Sequence, residues 1–367
     1  MVELAVDQAL LKANFYKKNG NISEAQKIYQ AILEVFPRDK EAQKGLSILN
    51  KIHKTSNQQS PAQEVINQLT SLYNQGHLGA VIEQAQTLTK QFPNEAFIWN
   101  ILGASSAQVE KLDQAVFAFQ KVISLKPDYA DAYNNMGNAL TDQGKLDEAI
   151  DLYNKAISLN PDYADAYNNM GNALTNQGKL EGAIEAYKTA LSLKPDYADT
   201  YNNMGNALAD QGKLDEAIVS YNTALSLNPD YADAYNNMGA ALRDQGKLDK
   251  AIEACNTALS LNPDYADAYN NMGVTLKEQG KLEKAIEAYN TALSLKPDYA
   301  DAYNNMGNAL TDQGKLEQAI EAYKTALSLN PDHADAYTNM GAALSDQGKL
   351  DEAIEAYNKA LSIKPDH

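Results

Sequence analysis

The sequence predicts an all-α solenoid, in which helical hairpins stack one on the next. The main observation is a segment of 34 residues that repeats without a gap from Ala130 to His367. Its seven copies begin at Ala130, Ala164, Ala198, Ala232, Ala266, Ala300 and Ala334. A fixed period of this length is typical of repeat proteins, in which each repeat buries its apolar face only against its neighbours. We number the repeat positions from 1 to 34, with Ala130 at position 1.

Within one repeat, the apolar residues follow the spacing of two amphipathic helices. Tyr133 and Leu140 belong to the apolar stripe of a first helix, and Gly144 suits the left-handed residue that ends it. Residues 146–157 carry a second stripe at steps of three and four, and Pro161 cannot continue that helix. Each repeat is therefore predicted to be a helical hairpin.

This pattern resembles the tetratricopeptide repeat. The shared features are aromatic residues at positions 4 and 24, Leu or Met at 7, Gly at 8, Ala at 20 and 27, and Pro at 32. Three divergent repeats upstream, at residues 6–39, 62–95 and 96–129, keep part of the pattern. The resemblance implies a right-handed superhelical solenoid whose first helices line a concave groove.

The predicted organisation has four segments. Residues 1–53 form a divergent repeat plus an extra helix at residues 41–51, and residues 54–61 form a polar linker. Residues 62–129 hold two divergent repeats, and residues 130–367 hold the seven near-identical ones. Tyrosines at positions 4 and 24 are expected to fill the space between neighbouring repeats.

The charge of the chain makes nucleic acid an unsuitable partner. The formal net charge is −17, although residues 1–61 carry nine Lys or Arg against six Asp or Glu. The regular repeats are therefore strongly acidic and repel phosphate backbones. No apolar run is long enough to span a bilayer, and the N-terminus has no signal-peptide pattern, so we expect a cytoplasmic protein without membrane contact.

No sequence motif indicates catalysis, a metal site or a cofactor. The histidines lack ligand spacing, and the glycines recur with the repeat instead of forming a phosphate-binding loop. Cys255 is the one cysteine and stands at position 24, where we expect it to be a small core residue. We therefore predict a non-enzymatic protein that needs no cofactor or metal.

The candidate binding residues are polar side chains of the first helix. Positions 2, 5, 6, 9 and 13 lie roughly opposite the apolar stripe at about 100° per residue. The predicted peptide-binding asparagines at positions 5, 6 and 9 are Asn134, Asn135, Asn138, Asn168, Asn169, Asn172, Asn202, Asn203, Asn206, Asn236, Asn237, Asn270, Asn271, Asn304, Asn305, Asn308 and Asn339. At the variable position 12, Arg243 and Lys277 are expected to form a cationic patch that sets selectivity.

An asparagine side chain offers two donor hydrogens and an acceptor oxygen, so it can pair with both polar groups of a peptide backbone. A row of such amides could hold an extended peptide without reading its side chains. The array is similar in this respect to the repeat domain of O-linked N-acetylglucosamine transferases, whose repeat also carries Asn at position 6. With Asp at positions 2 and 13, we expect a neutral or basic extended partner. The alternative is that these asparagines are solvated surface, copied by duplication.

Two further alternatives remain open at this stage. The chain could be the substrate-recruiting repeat half of a glycosyltransferase or sulfotransferase whose catalytic domain is absent here. It could also self-assemble as a homo-oligomer through its C-terminal edge. That edge is the apolar stripe of the last helix, formed by Ala353, Ile354, Tyr357, Ala360 and Leu361.

Overall fold

The computed structural model describes residues 2–18, 22–57, 61 and 63–365. Within this part of the chain there are 21 α-helices and no strands, which confirms the predicted all-α solenoid of hairpins. The helices are α1 (Val2–Lys18), α2 (Ile22–Val35), α3 (Lys40–Asn57), α4 (Gln63–Asn74), α5 (Leu78–Gln91), α6 (Ala96–Gln108), α7 (Leu112–Leu125), α8 (Ala130–Asp142), α9 (Leu146–Leu159), α10 (Ala164–Asn176), α11 (Leu180–Leu193), α12 (Ala198–Asp210), α13 (Leu214–Leu227), α14 (Ala232–Asp244), α15 (Leu248–Leu261), α16 (Ala266–Glu278), α17 (Leu282–Leu295), α18 (Ala300–Asp312), α19 (Leu316–Leu329), α20 (Ala334–Asp346) and α21 (Leu350–Ile363).

The chain divides into two compact parts, Met1–Leu159 and Asn160–His367. The first part contains the divergent repeats, the extra helix and the first regular repeat. The second part contains the other six regular repeats, and it holds most of the predicted binding residues. In both parts the two helices of a hairpin pack against each other, and the second helix of most repeats packs against the first helix of the next.

The extra helix α3 is longer than the sequence pattern predicted. It covers Lys40–Asn57, so residues 54–57 of the expected linker are helical. The segment between Lys51 and Asn57 contains neither Gly nor Pro, and its polar residues disfavour a helix only weakly. Of the remaining linker residues, 58–60 lie outside the described residues.

A left-handed glycine closes each regular hairpin. Gly212, between α12 and α13, has φ of +76°, and the following Lys213 N–H donates to the Leu208 carbonyl at 2.9 Å. This hydrogen bond satisfies a carbonyl at the end of the first helix. Gly144 has φ of +74°, as predicted, whereas Glu110 takes the same position in a divergent repeat with φ of +58°. A side chain in this region is strained, so the surrounding turn must hold Glu110 in place.

Close contact within the hairpin depends on Gly at position 8 and Tyr at position 24. A Cβ placed on Gly205 would lie 2.5 Å from Cε1 of Tyr221, and Tyr221 is almost fully buried. The tyrosine at position 24 therefore fills the inside of its own hairpin. It also packs between repeats as expected, since Tyr187 shares a cluster with Ala207 and Leu208 of the next repeat. The tyrosines at position 4 pack between repeats as well, since Tyr201 and Tyr235 border the cluster of Leu225 and Ala234.

The repeat that begins at Ala232 fills this space differently. Cys255 replaces the tyrosine, and its Sγ would lie 3.0 Å from a Cβ placed on Gly239. Burial raises the pKa of the Cys255 thiol to about 11, so the group stays neutral. The expectation of a buried core cysteine is confirmed.

Candidate functional site

The asparagines at position 5 are buried, in contrast to their predicted place on an exposed face. Their exposed fractions lie between 4% and 7%, and they are Asn134, Asn168, Asn202, Asn236, Asn270 and Asn304. Their apparent position opposite the apolar stripe comes from considering one helix alone. In the second part of the chain, the first helices of consecutive repeats also pack against each other. That contact covers position 5.

The asparagines at position 6 bond to the position-5 asparagines of the preceding repeat. In the second part of the chain, the position-6 Nδ2 donates to the position-5 Oδ1 in five consecutive pairs. The pairs are Asn203–Asn168 (3.3 Å), Asn237–Asn202 (3.1 Å), Asn271–Asn236 (2.9 Å), Asn305–Asn270 (3.1 Å) and Asn339–Asn304 (3.0 Å). We call this set the asparagine ladder. It ties neighbouring repeats together and fixes the orientation of the outer amide.

The position-6 asparagines of the ladder keep groups for a ligand. All seven asparagines at position 6 are half-buried: Asn135, Asn169, Asn203, Asn237, Asn271, Asn305 and Asn339. Within the described residues, the ladder bonds of Asn203 to Asn339 use one amide hydrogen each. A second hydrogen and the carbonyl oxygen of each side chain therefore remain. This combination of an oriented amide and spare hydrogen-bonding groups recurs once in each of the five repeats that begin at Ala198 to Ala334.

The asparagines at position 9 serve the interior of the hairpin. Their Oδ1 accepts a hydrogen bond of 2.8 Å from the tyrosine hydroxyl at position 24, in the pairs Asn138–Tyr153, Asn172–Tyr187, Asn206–Tyr221 and Asn308–Tyr323. In three of these repeats a threonine at position 12 also contacts the hydroxyl. Burial raises the pKa of Tyr153 and Tyr187 to about 12. The position-9 asparagines are half-buried, and their side-chain oxygens already accept hydrogen bonds from these tyrosines.

The interior arrangement is interrupted in the repeat that begins at Ala266. Val274 occupies position 9 and Lys277 occupies position 12, so the usual partners of the tyrosine are missing. The buried Tyr289 hydroxyl has no hydrogen-bond partner among the described residues. An unsatisfied buried hydroxyl costs stability, so this repeat gives up part of the interaction that its neighbours make.

Arg243 and Lys277, the predicted cationic patch, are both paired with carboxylates. The Arg243 guanidinium contacts the Asp244 carboxylate at 2.8 Å and that of Glu278 at 3.8 Å. The Lys277 ammonium lies 3.5 Å from the Asp312 carboxylate. Both cations thus face an acid of the next repeat at position 13. Their charges are largely balanced locally.

A second recurrent contact joins the aspartate at position 2 to the residue at position 34 of the same repeat. The Tyr197 hydroxyl is hydrogen-bonded to the Asp165 carboxylate, and the pairs Tyr231–Asp199, Tyr265–Asp233 and Tyr299–Asp267 repeat this contact. Burial, followed by the nearby carboxylate, raises the pKa of these tyrosines. At the last such position, His333 Nε2 lies 3.2 Å from the Asp301 carboxylate. This contact was not predicted from the sequence, although Asp at position 2 and Tyr at position 34 recur in the regular repeats.

The C-terminal edge exposes part of the predicted apolar stripe. Ile354 is 58% exposed and Leu361 is 46% exposed, whereas Ala353 and Ala360 are buried. Tyr357 is 36% exposed, although its counterparts at position 24 in earlier repeats are buried. Whether another molecule covers this edge stays a prediction.

Within the described residues, no group of three or more His, Cys, Asp or Glu side chains is placed to hold a metal ion. Across the same part of the chain, none of the helices combines the length and the apolar character needed to cross a membrane.

Residues 163–367 match the family model described as the Cilia and flagella-associated protein 70 C-terminal domain. Models of the tetratricopeptide repeat match residues 9–39, 107–140 and 137–178. The chain belongs to the tetratricopeptide repeat proteins, and over residues 163–367 to the family of that C-terminal domain model. No curated protein matches the chain at a significant level.

The chain is also similar to several solved structures. The structure titled "Crystal structure of APC/C hetero-tetramer Cut9-Hcn1" aligns with 100% of this chain and 75% of that chain, at 17% identity and a TM-score of 0.57, and it supports the fold alone. MamA is 30% identical over 44% of this chain and 95% of that chain, with a TM-score of 0.39. YrrB, described as a TPR protein with an unusual peptide-binding site, is 29% identical over 51% of this chain and 97% of that chain, with a TM-score of 0.41.

Proposed function

We propose that this chain is a non-catalytic interaction scaffold that binds an extended segment of another protein along its first helices. Membership in the tetratricopeptide repeat family and an array built almost entirely of hairpins support the scaffold role. In such an array each repeat contacts only its neighbours, and the long surface that results suits an extended partner.

The asparagine ladder carries the proposal. Five consecutive outer amides, from Asn203 to Asn339, are each oriented by a bond to the repeat before. Their remaining groups form one donor and one acceptor, which is the pair that a peptide unit requires. Packed helices lie about 8–10 Å apart, and an extended chain rises about 3.3 Å per residue. One ladder amide would therefore meet about every third residue of the bound segment.

The charges near the ladder favour a neutral or basic segment. Four of the position-2 carboxylates already accept hydrogen bonds from tyrosine hydroxyls. They therefore attract a basic segment less strongly than free carboxylates would. The position-13 acid Asp210 is exposed, and the chain as a whole carries −17. An acidic segment would be repelled by this field.

The expected affinity is modest. Each hydrogen bond to a ladder amide contributes roughly 0.5–1.5 kcal/mol net, and ordering a flexible segment costs several kcal/mol. Five amides with two such bonds each give about 5–15 kcal/mol before this cost, so we expect a dissociation constant of about micromolar or weaker. Stronger binding requires that side chains of the partner find pockets of their own.

A matched pair of triple variants tests the proposal. Asn203, Asn237 and Asn271 are changed to Ala in one variant, which removes outer amides. In the other, their buried partners Asn168, Asn202 and Asn236 are changed to Ala, which breaks the same three hydrogen bonds from the inner side. The probe is a fluorescein-labelled peptide of about 15 residues of Ser, Thr and Val with one Lys, measured by fluorescence anisotropy.

We expect the inner variant to lose more stability, because its buried asparagines are also hydrogen-bonded to Thr200, Tyr231 and Tyr265. The outer variant should lose peptide affinity by about tenfold or more. The inner variant should lose less, because its outer amides remain although they are no longer oriented. An equal loss in both variants would mean that the ladder acts only by spacing the repeats. If neither variant changes the affinity, the outer asparagines are solvated surface and the proposal is wrong.

A further inference from the structure

One second helix carries an apolar residue where the other regular repeats carry an acid. Position 22 is acidic in six of the seven regular repeats, at Asp151, Glu185, Glu253, Glu287, Glu321 and Glu355. In the repeat that begins at Ala198 it is Val219, and this side chain is 66% exposed. Helix α13 thus differs from the second helices of the other regular repeats, because it exposes the hydrocarbon of Val219 where they expose a carboxylate.

Val219 borders a depression of about 370 Å³ between α11 and α13. Its floor is apolar and comes from Ile184 on α11 together with Tyr201, Met204 and Leu208 on α12. This volume is at the lower end of the range for ligand pockets, about 300–1,000 Å³. The depression is large enough for a side chain of a partner, but it is open and does not resemble an enclosed small-molecule cavity.

The depression stays apolar because the hydroxyl of Ser220 in its floor is hydrogen-bonded within the protein. Ser220 replaces the alanine found in most repeats at position 23, and it is 3% exposed. Its Oγ donates to the Tyr201 carbonyl at 3.0 Å. The hydroxyl is thus used within the protein, and the surface offered to a partner consists mainly of Val219 and the hydrocarbon floor.

The equivalent depression one repeat later serves as an internal comparison. It measures about 450 Å³ and lies between α13 and α15, with Tyr235, Met238 and Leu242 in its floor. Its rim carries Glu253 at the place of Val219 and Lys250 at the place of Glu216. At position 22, a similar floor is therefore bordered by a carboxylate in one repeat and by hydrocarbon in the other.

The charges at the rim indicate what kind of partner fits. Asp215 and Glu216 stand on the α13 side, while Lys188 stands on the α11 side. Asp215 accepts a hydrogen bond from Gln245 Nε2 at 2.8 Å, and Glu216 is exposed. A basic residue placed beside Glu216 would add attraction in this acidic part of the chain.

We propose that this depression docks a segment of a second protein that carries a bulky apolar side chain next to a Lys or Arg. The apolar side chain occupies the floor and contacts Val219, and the cation lies beside Glu216. Exposed apolar patches of this kind commonly mark interaction sites. No asparagine of the ladder lines this depression, so the proposal does not depend on the proposed peptide binding there.

Two variants of the full chain test this surface. Val219→Glu restores the acid of the other repeats, and Glu253→Val creates the same apolar rim one repeat later. A random-peptide phage library is selected on the wild-type chain after depletion on the Val219→Glu variant. The selected peptides are then synthesised, and their dissociation constants are measured by calorimetry with all three proteins.

We expect peptides that combine an aromatic or aliphatic residue with an adjacent Lys or Arg. Their affinity should fall at least about tenfold in Val219→Glu. Glu253→Val should leave the stoichiometry at one, because Lys250 stands at the place of Glu216 in that repeat and repels the cation of the peptide. Both positions are exposed, so the melting temperature should not change and loss of fold is separated from loss of binding.

Three results would overturn the proposal. The first is that no selected peptide distinguishes wild type from Val219→Glu, and the second is that the selected peptides are acidic. The third is that sedimentation shows a wild-type oligomer that Val219→Glu dissociates, because the occupant would then be a second copy of this chain.

Discussion

Substituting the position-8 glycines tests how tightly each hairpin is packed. Gly273→Ala would place a Cβ 2.6 Å from Cε1 of Tyr289, a ring that is fully buried and cannot move aside. Gly239→Ala is the matched control, because Cys255 replaces the tyrosine there and its Sγ would lie at 3.0 Å. The two glycines occupy the same position in adjacent repeats, so their helical contexts are nearly the same.

The magnitude follows from two opposing effects. Replacing a helical glycine with alanine gains about 0.8–1 kcal/mol of helix propensity. Overpacking a dense core costs about 1–3 kcal/mol. For Gly273→Ala the contact with the Tyr289 ring makes the cost larger than the gain. For Gly239→Ala, the smaller Cys255 makes the two effects nearly cancel. We therefore expect Gly273→Ala to be the less stable variant by about 1–2 kcal/mol.

Native-state hydrogen exchange is the suitable assay, because a repeat array need not unfold in one cooperative step. Amide protection in α16 and α17 should fall in Gly273→Ala, while protection in α14 and α15 should stay near that of wild type in Gly239→Ala. Equal loss of protection in both variants would show that the tyrosine ring does not set the hairpin spacing.

Three other predictions follow from buried polar groups and from the exposed edge. Val274→Asn should supply the missing partner of the Tyr289 hydroxyl and stabilise the chain by about 1 kcal/mol, as measured by urea unfolding. The neutral hydroxyls of Tyr153 and Tyr187 contribute stability that is complete below the unfolded pKa of about 10 and is lost as the pH rises towards about 12. Melting curves across this range should show that loss, and no such loss is expected between pH 7 and 9. If the C-terminal edge mediates self-association, Ile354→Glu should shift the sedimentation of a dimer towards monomer, whereas an unchanged monomer at high concentration would rule out this edge as an assembly site.

The repeat architecture could be predicted from the sequence because its signals are local. Gly144 and Pro161 recur with the period of the repeat, and they mark the turns that the structure contains. The end of α3 was less predictable, since residues 54–57 carry only weak helix-disfavouring residues and no strong stop signal.

The candidate site was only partly predictable because it depends on the contact between repeats. Positions 5 and 6 lie next to each other on one helix, and a single-helix projection places both on the polar side. The first helix of the neighbouring repeat then buries Asn202 and leaves Asn237 half-exposed. The spacing of residues within one helix does not show which of its polar side chains a neighbouring helix will cover. Val219, by contrast, was visible in the sequence as a departure from the acid that other repeats carry at position 22.

Backbone N-methylation of the bound peptide tests the central claim most directly. The asparagine ladder is proposed to hydrogen-bond peptide N–H and C=O groups without reading side chains. Methylating alternate peptide nitrogens removes N–H donors while the side-chain sequence stays the same. The account predicts that the wild-type chain binds the methylated peptide at least about tenfold more weakly, and that the variant with Asn203, Asn237 and Asn271 changed to Ala shows a much smaller difference. Equal affinity of the wild-type chain for both peptides would contradict backbone recognition by the ladder.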